Sequence, residues 1–233
     1  MSQAENIAMV TVDTGVKRNS STNLSIIQKS QAGSADFVSH LTIGDVKLMA
    51  IVAAKTGTQD SKTRQHGERT AALIRVLFDG CLRISEALAL RPIDIQDTDN
   101  GVLLAVLGKG NRPGLVAISA ETANALRSYC YKYHVLEAEL IFDLSRSQAF
   151  RCIEAIYEKA GVRQPSINAD RVGAVHVLRH SGCLARLAIS GNPREVQAQL
   201  RHKSSAMTLR YMKTLSNIEA LRNQQQVNVW GEN

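Results

Sequence analysis

Four short stretches of the chain set cations, imidazoles and a phenol beside apolar residues. They are "CLRISEAL" with Arg83 and Glu86, "GKGNRPG" with Lys109, "HVLRHSG" with His176, Arg179 and His180, and "LRHKSSAMTLRYM" with His202 and Tyr211. Residues three apart share a helix face, so His176 stands with Arg179 and Arg83 with Glu86. Each has a plain reading when taken singly. Arg83 and Glu86 would make a helix ion pair worth about 0.3–0.5 kcal/mol. Lys109 would be a solvated loop residue, His176 a helix cap and Arg179 a surface cation. His202 would complement the last carbonyls of a helix. Tyr211 has Met207 four residues before it and Leu215 four after it, which favours a packed ring.

Taken together, the same residues suit a phosphodiester. Its two non-bridging oxygens carry charge that grows in the transition state, and arginine's planar fork matches them. Rigidly held donors at that point are usually the largest catalytic contribution. A tyrosine hydroxyl, with an ordinary pKa near 10, becomes a useful nucleophile only where surrounding cations favour the phenolate. The cations are available here; an Asp/Glu cluster for magnesium and a glycine-rich nucleotide loop ending in Lys-Ser/Thr are not. The chemistry left is phosphoryl transfer through a covalent tyrosine, with no metal and no cofactor.

These groups need a scaffold of helices and one small sheet. In "LTIGDVKLMAIVAAKTG", Thr42 or Asp45 can cap a helix whose apolar face is Val46, Met49, Ala50, Ala53 and Ala54, with Gly57 as its stop. "TQDSKTRQHG" reads as a polar loop. A helix with the stripe Ala72, Leu73, Val76 and Leu77 follows, broken at Asp79-Gly80, then a second helix through Ser85–Leu88 closed by Arg91-Pro92. The period then changes: "VLLAVL" and "LVAIS" read as strands around the tight loop "GKGNRPG", in an antiparallel sheet of two or three strands. Ser119 caps the next helix. Another helix carries Ala149, Cys152, Ile153 and Ile156 and stops at Gly161. A third carries Leu184, Leu187 and Ala188 and stops at Gly191, and Asn192-Pro193 starts a fourth. The fold class is α+β, mainly α-helical, with a small antiparallel sheet at one edge.

Residues 1–40 read as a mobile polar tail, 41–215 as the catalytic domain, and 216–233 as a C-terminal helix or tail able to dock on another protomer. Lys plus Arg number 28 against 21 Asp plus Glu, a net charge of +7, which favours a polyanionic partner. The cysteines, Cys81, Cys130, Cys152 and Cys183, lack Cys-x-x-Cys spacing and read as reduced side chains, three of them buried. No apolar stretch approaches the roughly 20 residues that span a bilayer, and no signal peptide opens the chain, so the expected place is the cytoplasm.

The quoted stretches, in this order from about Leu41 to Leu215, resemble the boxes of the tyrosine recombinase (phage integrase) catalytic domain. The resemblance implies roles. Arg83 and Arg179 would clamp the scissile phosphate, Lys109 would protonate the leaving 5′ oxygen, and His176 would assist proton transfer. His202 would be a further phosphate donor and Tyr211 the nucleophile that forms a 3′-phosphotyrosine. Glu86 and His180 would support these groups. Apart from the resemblance, Arg112 and Lys203 are expected to contact DNA, and Arg201 could add a phosphate contact. The expected partner is double-stranded DNA at specific recombination sites, gripped by a dimer or tetramer of the chain or with a partner recombinase. Different outcomes of the same resemblance are a catalytically silent DNA-binding subunit and a topoisomerase-like or hairpin-resolving strand transferase. The sequence departs from the family pattern where glycine is usual, just before His202, where Arg201 stands, and near Cys81. If those backbones take positive φ, both residues are strained there.

Overall fold

The computed structural model describes residues 40–56, 61–108, 110, 112–164, 173–201 and 206–225. Residues 1–39 of the expected N-terminal tail, the expected helix stop Gly57, and Lys109, His202 and Lys203 lie outside them, while His40 is described and buried.

Helix α1 (Ile43–Lys55) begins as its sequence dictates. Thr42 accepts the Asp45 amide at 3.0 Å, and the Asp45 carboxylate accepts the Thr42 amide at 2.9 Å, a reciprocal cap that settles two orphan donors. Val46, Met49, Ala50 and Ala53 are buried on one face, as their spacing predicts. Helix α2 (Ser61–Asp79) starts earlier than expected, since most of the supposed polar loop is helical. The reason is a contact with the end of α1: a β-carbon on Gly67 would lie 2.3 Å from the Thr56 carbonyl oxygen. Only a bare backbone lets the two segments approach so closely, and that packing recruits the polar turns that propensity alone left undecided.

Helix α3 (Ile84–Ala87) is one turn rather than the longer helix expected. Glu86 turns back to accept the Arg83 amide at 2.8 Å, and Arg91-Pro92 then forces a 3₁₀ turn over Pro92–Asp94. Strands β1 (Ile95–Thr98), β2 (Gly101–Gly108) and β3 (Arg112–Ile118) form an antiparallel sheet in that order, with Leu104 opposite Val116 and Gly108 opposite Arg112. Val102, Leu104, Val106, Val116 and Ile118 face the core, while Leu107 and Leu115 remain exposed.

Helices α4 (Ala120–Lys132) and α5 (Arg146–Lys159) are capped by Ser119 and Ser145. Helix α6 (Ala174–Ser190) ends at Gly191 with φ 66°, and α7 (Pro193–Leu200) starts from Asn192. Helix α8 (Ala206–Gln225) is one continuous helix of 20 residues, longer than the short C-terminal helix expected. Ala188 proves exposed rather than part of the buried stripe.

Two apolar clusters result. The larger joins α1 to α6 and the sheet; the smaller contains Cys81, Cys183, Leu184, Leu187, Val196, Leu200 and Tyr211 with Leu215 against them. Helix α6 lies between them and buries Arg179, His180, Ser181 and Gly182 along with its apolar residues. Burying so many polar groups on one helix requires partners for each of them, and those partners build the site.

Candidate active site

Two residues with left-handed backbone frame the arginine of α6. Cys81 has φ 49° and Arg201 has φ 53°, as expected if the departures from glycine carry strain. The Cys81 carbonyl, aimed by that turn, accepts a hydrogen bond from Arg179 Nη1. The Leu200 carbonyl, at the end of α7, accepts from Arg179 Nη2 at 3.5 Å. Both Nη atoms of Arg179 are thus held by backbone carbonyls, and its side chain is almost wholly buried.

Glu86 is the hub of the cationic side. Its carboxyl is 2% exposed and accepts from Arg83 Nη1 at 2.9 Å, while Arg201 Nη2 lies 2.8 Å away and Arg179 Nη1 3.6 Å away. Burial pushes the Glu86 carboxyl up, but the Arg83 amide, Arg201, the Arg83 guanidinium and Arg179 more than offset it. Its pKa is held below the ordinary glutamate range, and it stays ionised among three arginines. Arg83 is 41% exposed and offers the part of this cluster that can meet a ligand.

His176 is exposed on α6 one turn before His180, and the two rings meet edge to face with centroids 4.6 Å apart. The protein around the ring, then the charges of Arg179 and Arg83, lower the His176 pKa below that of free imidazole. A neutral ring at neutral pH can accept as well as donate a proton. His180 is buried, and its Nδ1 lies 2.6 Å from the Tyr211 hydroxyl.

Tyr211 overturns one expectation. Its ring is fully buried in the smaller cluster, and burial pushes its hydroxyl well above the ordinary tyrosine range. Arg179 acts in the opposite direction but does not offset the loss of water. The cations expected to favour the phenolate do not do so in this conformation, because desolvation outweighs them.

The fold thus brings Arg83, Glu86, His176, Arg179, His180 and Tyr211 into one neighbourhood, with Arg201 joined to it through Glu86. Arg112 does not join it; it opens β3, exposed, opposite Gly108. Lys109, His202 and Lys203 are outside the described residues. Sequence reasoning missed the scaffold that holds these elements in place. Arg186 donates to the Asp79 carboxylate at 2.7 Å and to the Ala117 carbonyl at 3.0 Å. Gln199 bonds both the amide and the carbonyl of Ala117, so α7 is clipped to the edge of β3. Neither residue carries a periodic signal; only the Asp79-Gly80 break marked that corner. Among the described residues no group of three or more His, Cys, Asp or Glu is gathered to hold a metal ion, and no helix is long and apolar enough to cross a membrane.

Residues 48–217 match the phage integrase family. The chain belongs to that family. This phage integrase family member is 30% identical over 189 residues to tyrosine recombinase XerD of Rhizobium meliloti (strain 1021), covering 75% of this chain and 57% of the relative. It is 33% identical over 147 residues to tyrosine recombinase XerC of Xanthomonas axonopodis pv. citri (strain 306), covering 62% and 47%. The chain spans about half the length of the curated relatives it matches. In fold it is similar to XerH site-specific recombinase bound to palindromic difH substrate, with a TM-score of 0.65 at 21% identity, covering 83% of this chain and 54% of that one. It is also similar to the catalytic domain of bacteriophage HP1 integrase, with a TM-score of 0.56 at 16% identity, covering 84% of this chain and 99% of that one. The expected architecture, mainly helical with a small antiparallel sheet at one edge, is the observed one.

Proposed function

We propose that the chain is the catalytic part of a site-specific DNA recombinase that cleaves and rejoins strands through a 3′-phosphotyrosine. The observation that carries this is the convergence of Arg83, Arg179 and Tyr211 from three separate elements in a chain of the phage integrase family. In cleavage the Tyr211 oxygen attacks the scissile phosphorus. A bond forms between that phosphorus and the tyrosine oxygen, whose proton passes to an imidazole of the site, the bond from phosphorus to the 5′ oxygen breaks, and the leaving oxygen takes up a proton. The reverse step on a second strand's 5′ hydroxyl restores the phosphodiester, so no external energy is consumed. Arg83 and Arg179 offset charge on the non-bridging oxygens, Glu86 orients them, and His176 exchanges protons at the edge of the site. Lys109 and His202 take the roles of leaving-group acid and second phosphate donor. Arg112 and Lys203 contact the flanking backbone. Because Tyr211 is sealed in the smaller cluster beside His180, attack requires α8 to carry the ring toward the phosphate. The free chain is a resting form.

The substrate is double-stranded DNA at specific sites. Work on paired sites calls for a dimer of dimers or a partner recombinase, and the chain acts in the cytoplasm. The test uses a pool of duplexes with a nick beside a randomised segment, resolved on a denaturing gel. The wild-type chain forms a covalent protein–DNA band and Tyr211→Phe forms none. Binding without any adduct from the pool overturns the reading in favour of a silent DNA-binding subunit.

A further inference from the structure

Arg201 stands where its backbone is least suited to it. At φ 53° a side chain is held in a strained backbone that a glycine would adopt freely. What the side chain does there is specific. Gln199, two residues earlier, holds α7 against Ala117 of β3. From that anchored point Arg201 runs across the hairpin end of the β2–β3 ladder, over a platform made of two glycines. A β-carbon on Gly114 would lie 2.7 Å from Arg201 Cδ, and one on Gly108 would lie 3.4 Å from its Nη1. The guanidinium then ends 2.8 Å from Glu86 Oε1, an oxygen it shares with Arg83. Without Arg201, that oxygen would keep only the half-exposed Arg83, whose long side chain is otherwise free to swing.

We propose that Arg201 is a positioning residue that latches the β2–β3 ladder to Glu86, and through that carboxylate sets Arg83 and Arg179 for the phosphate, rather than acting as a ligand of the DNA backbone itself. The latch is a property of the free chain. Only its consequence for rate rests on the recombinase reading above. Gly114 belongs to the same device: a methyl there must push Arg201 Cδ aside and draw the guanidinium off Glu86. Substitution from either side should therefore open the same contact.

The test compares wild type, Arg201→Gly, Gly114→Ala and the double variant by three measurements. Hydrogen exchange of the free chain should speed up by about tenfold at the Gly108 and Gly114 end of the ladder in Arg201→Gly. Adduct formation at saturating DNA, on a duplex recovered from the nicked pool, should slow by about ten- to a hundredfold, the scale of a 1 Å misplacement of a reacting group. The salt dependence of binding to a random-sequence duplex should not change. Gly114→Ala should reproduce the loss, and adding it to Arg201→Gly should cost nothing further, because both open one contact. A salt slope shallower by about 0.9 in Arg201→Gly would make Arg201 a phosphate ligand and overturn the proposal. Unchanged exchange, or additive effects of the two substitutions, would overturn it as well. If the wild type forms no adduct on any duplex, the recombinase reading fails, while exchange and salt slope still decide the latch.

Discussion

Replacing Glu86 with glutamine tests the electrostatic centre of this fold. The substitution keeps the volume and one acceptor for the Arg83 amide, so no cavity forms and the local cap survives. What it removes is the negative charge facing three guanidinium groups. Arg83 is 41% exposed, so solvent discounts its share to about 0.5 kcal/mol. Arg179 and Arg201 are 3% and 18% exposed, and they carry most of the loss. Leaving a buried ion pair half-made costs about 3–5 kcal/mol, and the retained amide acceptor puts Glu86→Gln near the lower end, about 3 kcal/mol. For a domain of this size that is a fall in Tm of about 6–12 °C. The dependence on pH has a definite sign. The folded Glu86 pKa lies below its unfolded value, so its stabilisation is fully present above the ordinary carboxyl range near 4.3 and is lost as pH falls through the folded value. Urea unfolding of both proteins, followed by circular dichroism at pH 7 and at steps toward pH 3, reads this directly. A difference below about 1 kcal/mol at pH 7, or one that grows toward low pH, would refute the reasoning.

Three further outcomes are expected. Gly182→Ala places a methyl 1.8 Å from the Phe78 carbonyl oxygen, so α2 and α6 must separate, and thermal unfolding should show a loss of about 3 kcal/mol or more. Tyr211→Phe keeps the buried ring but removes the hydroxyl that meets His180 Nδ1, which should cost about 0.5–1.5 kcal/mol in urea unfolding; no loss would mean the 2.6 Å contact contributes nothing. His176 should titrate by NMR below the value near 6.5 of free imidazole, so its share of stability is present above that value and is lost as pH falls through the lower folded value. Arg83→Ala removes one of the repelling charges and should move that titration upward; an unmoved curve would show that Arg83 does not act on the ring.

Much of this was legible in the residues alone. Thr42 and Asp45, Ser119, Gly191 and Asn192-Pro193 announce their helix ends because caps are local chemistry, complete within a few residues. The hairpin was legible for the same reason, from a change of period around a glycine-rich loop. The start of α2 was not, because the contact that settles it joins Gly67 to the end of α1. Nor was the shortness of α3, which depends on where the Glu86 side chain turns.

The sequence by itself determined which side chains are available and in what order: two arginines, the histidines and a tyrosine on helices, and the positions where arginine and cysteine replace an easier glycine. Only the tertiary structure decided what those groups experience. Tyr211 meets His180 across 31 residues of chain, and Arg179 meets the Cys81 carbonyl across 98. Arg201 reaches Glu86 only because Gln199 fastens α7 to β3. A pKa depends on lost water and on neighbours distant in sequence, so the expected lowering of Tyr211 became a rise once its ring was buried.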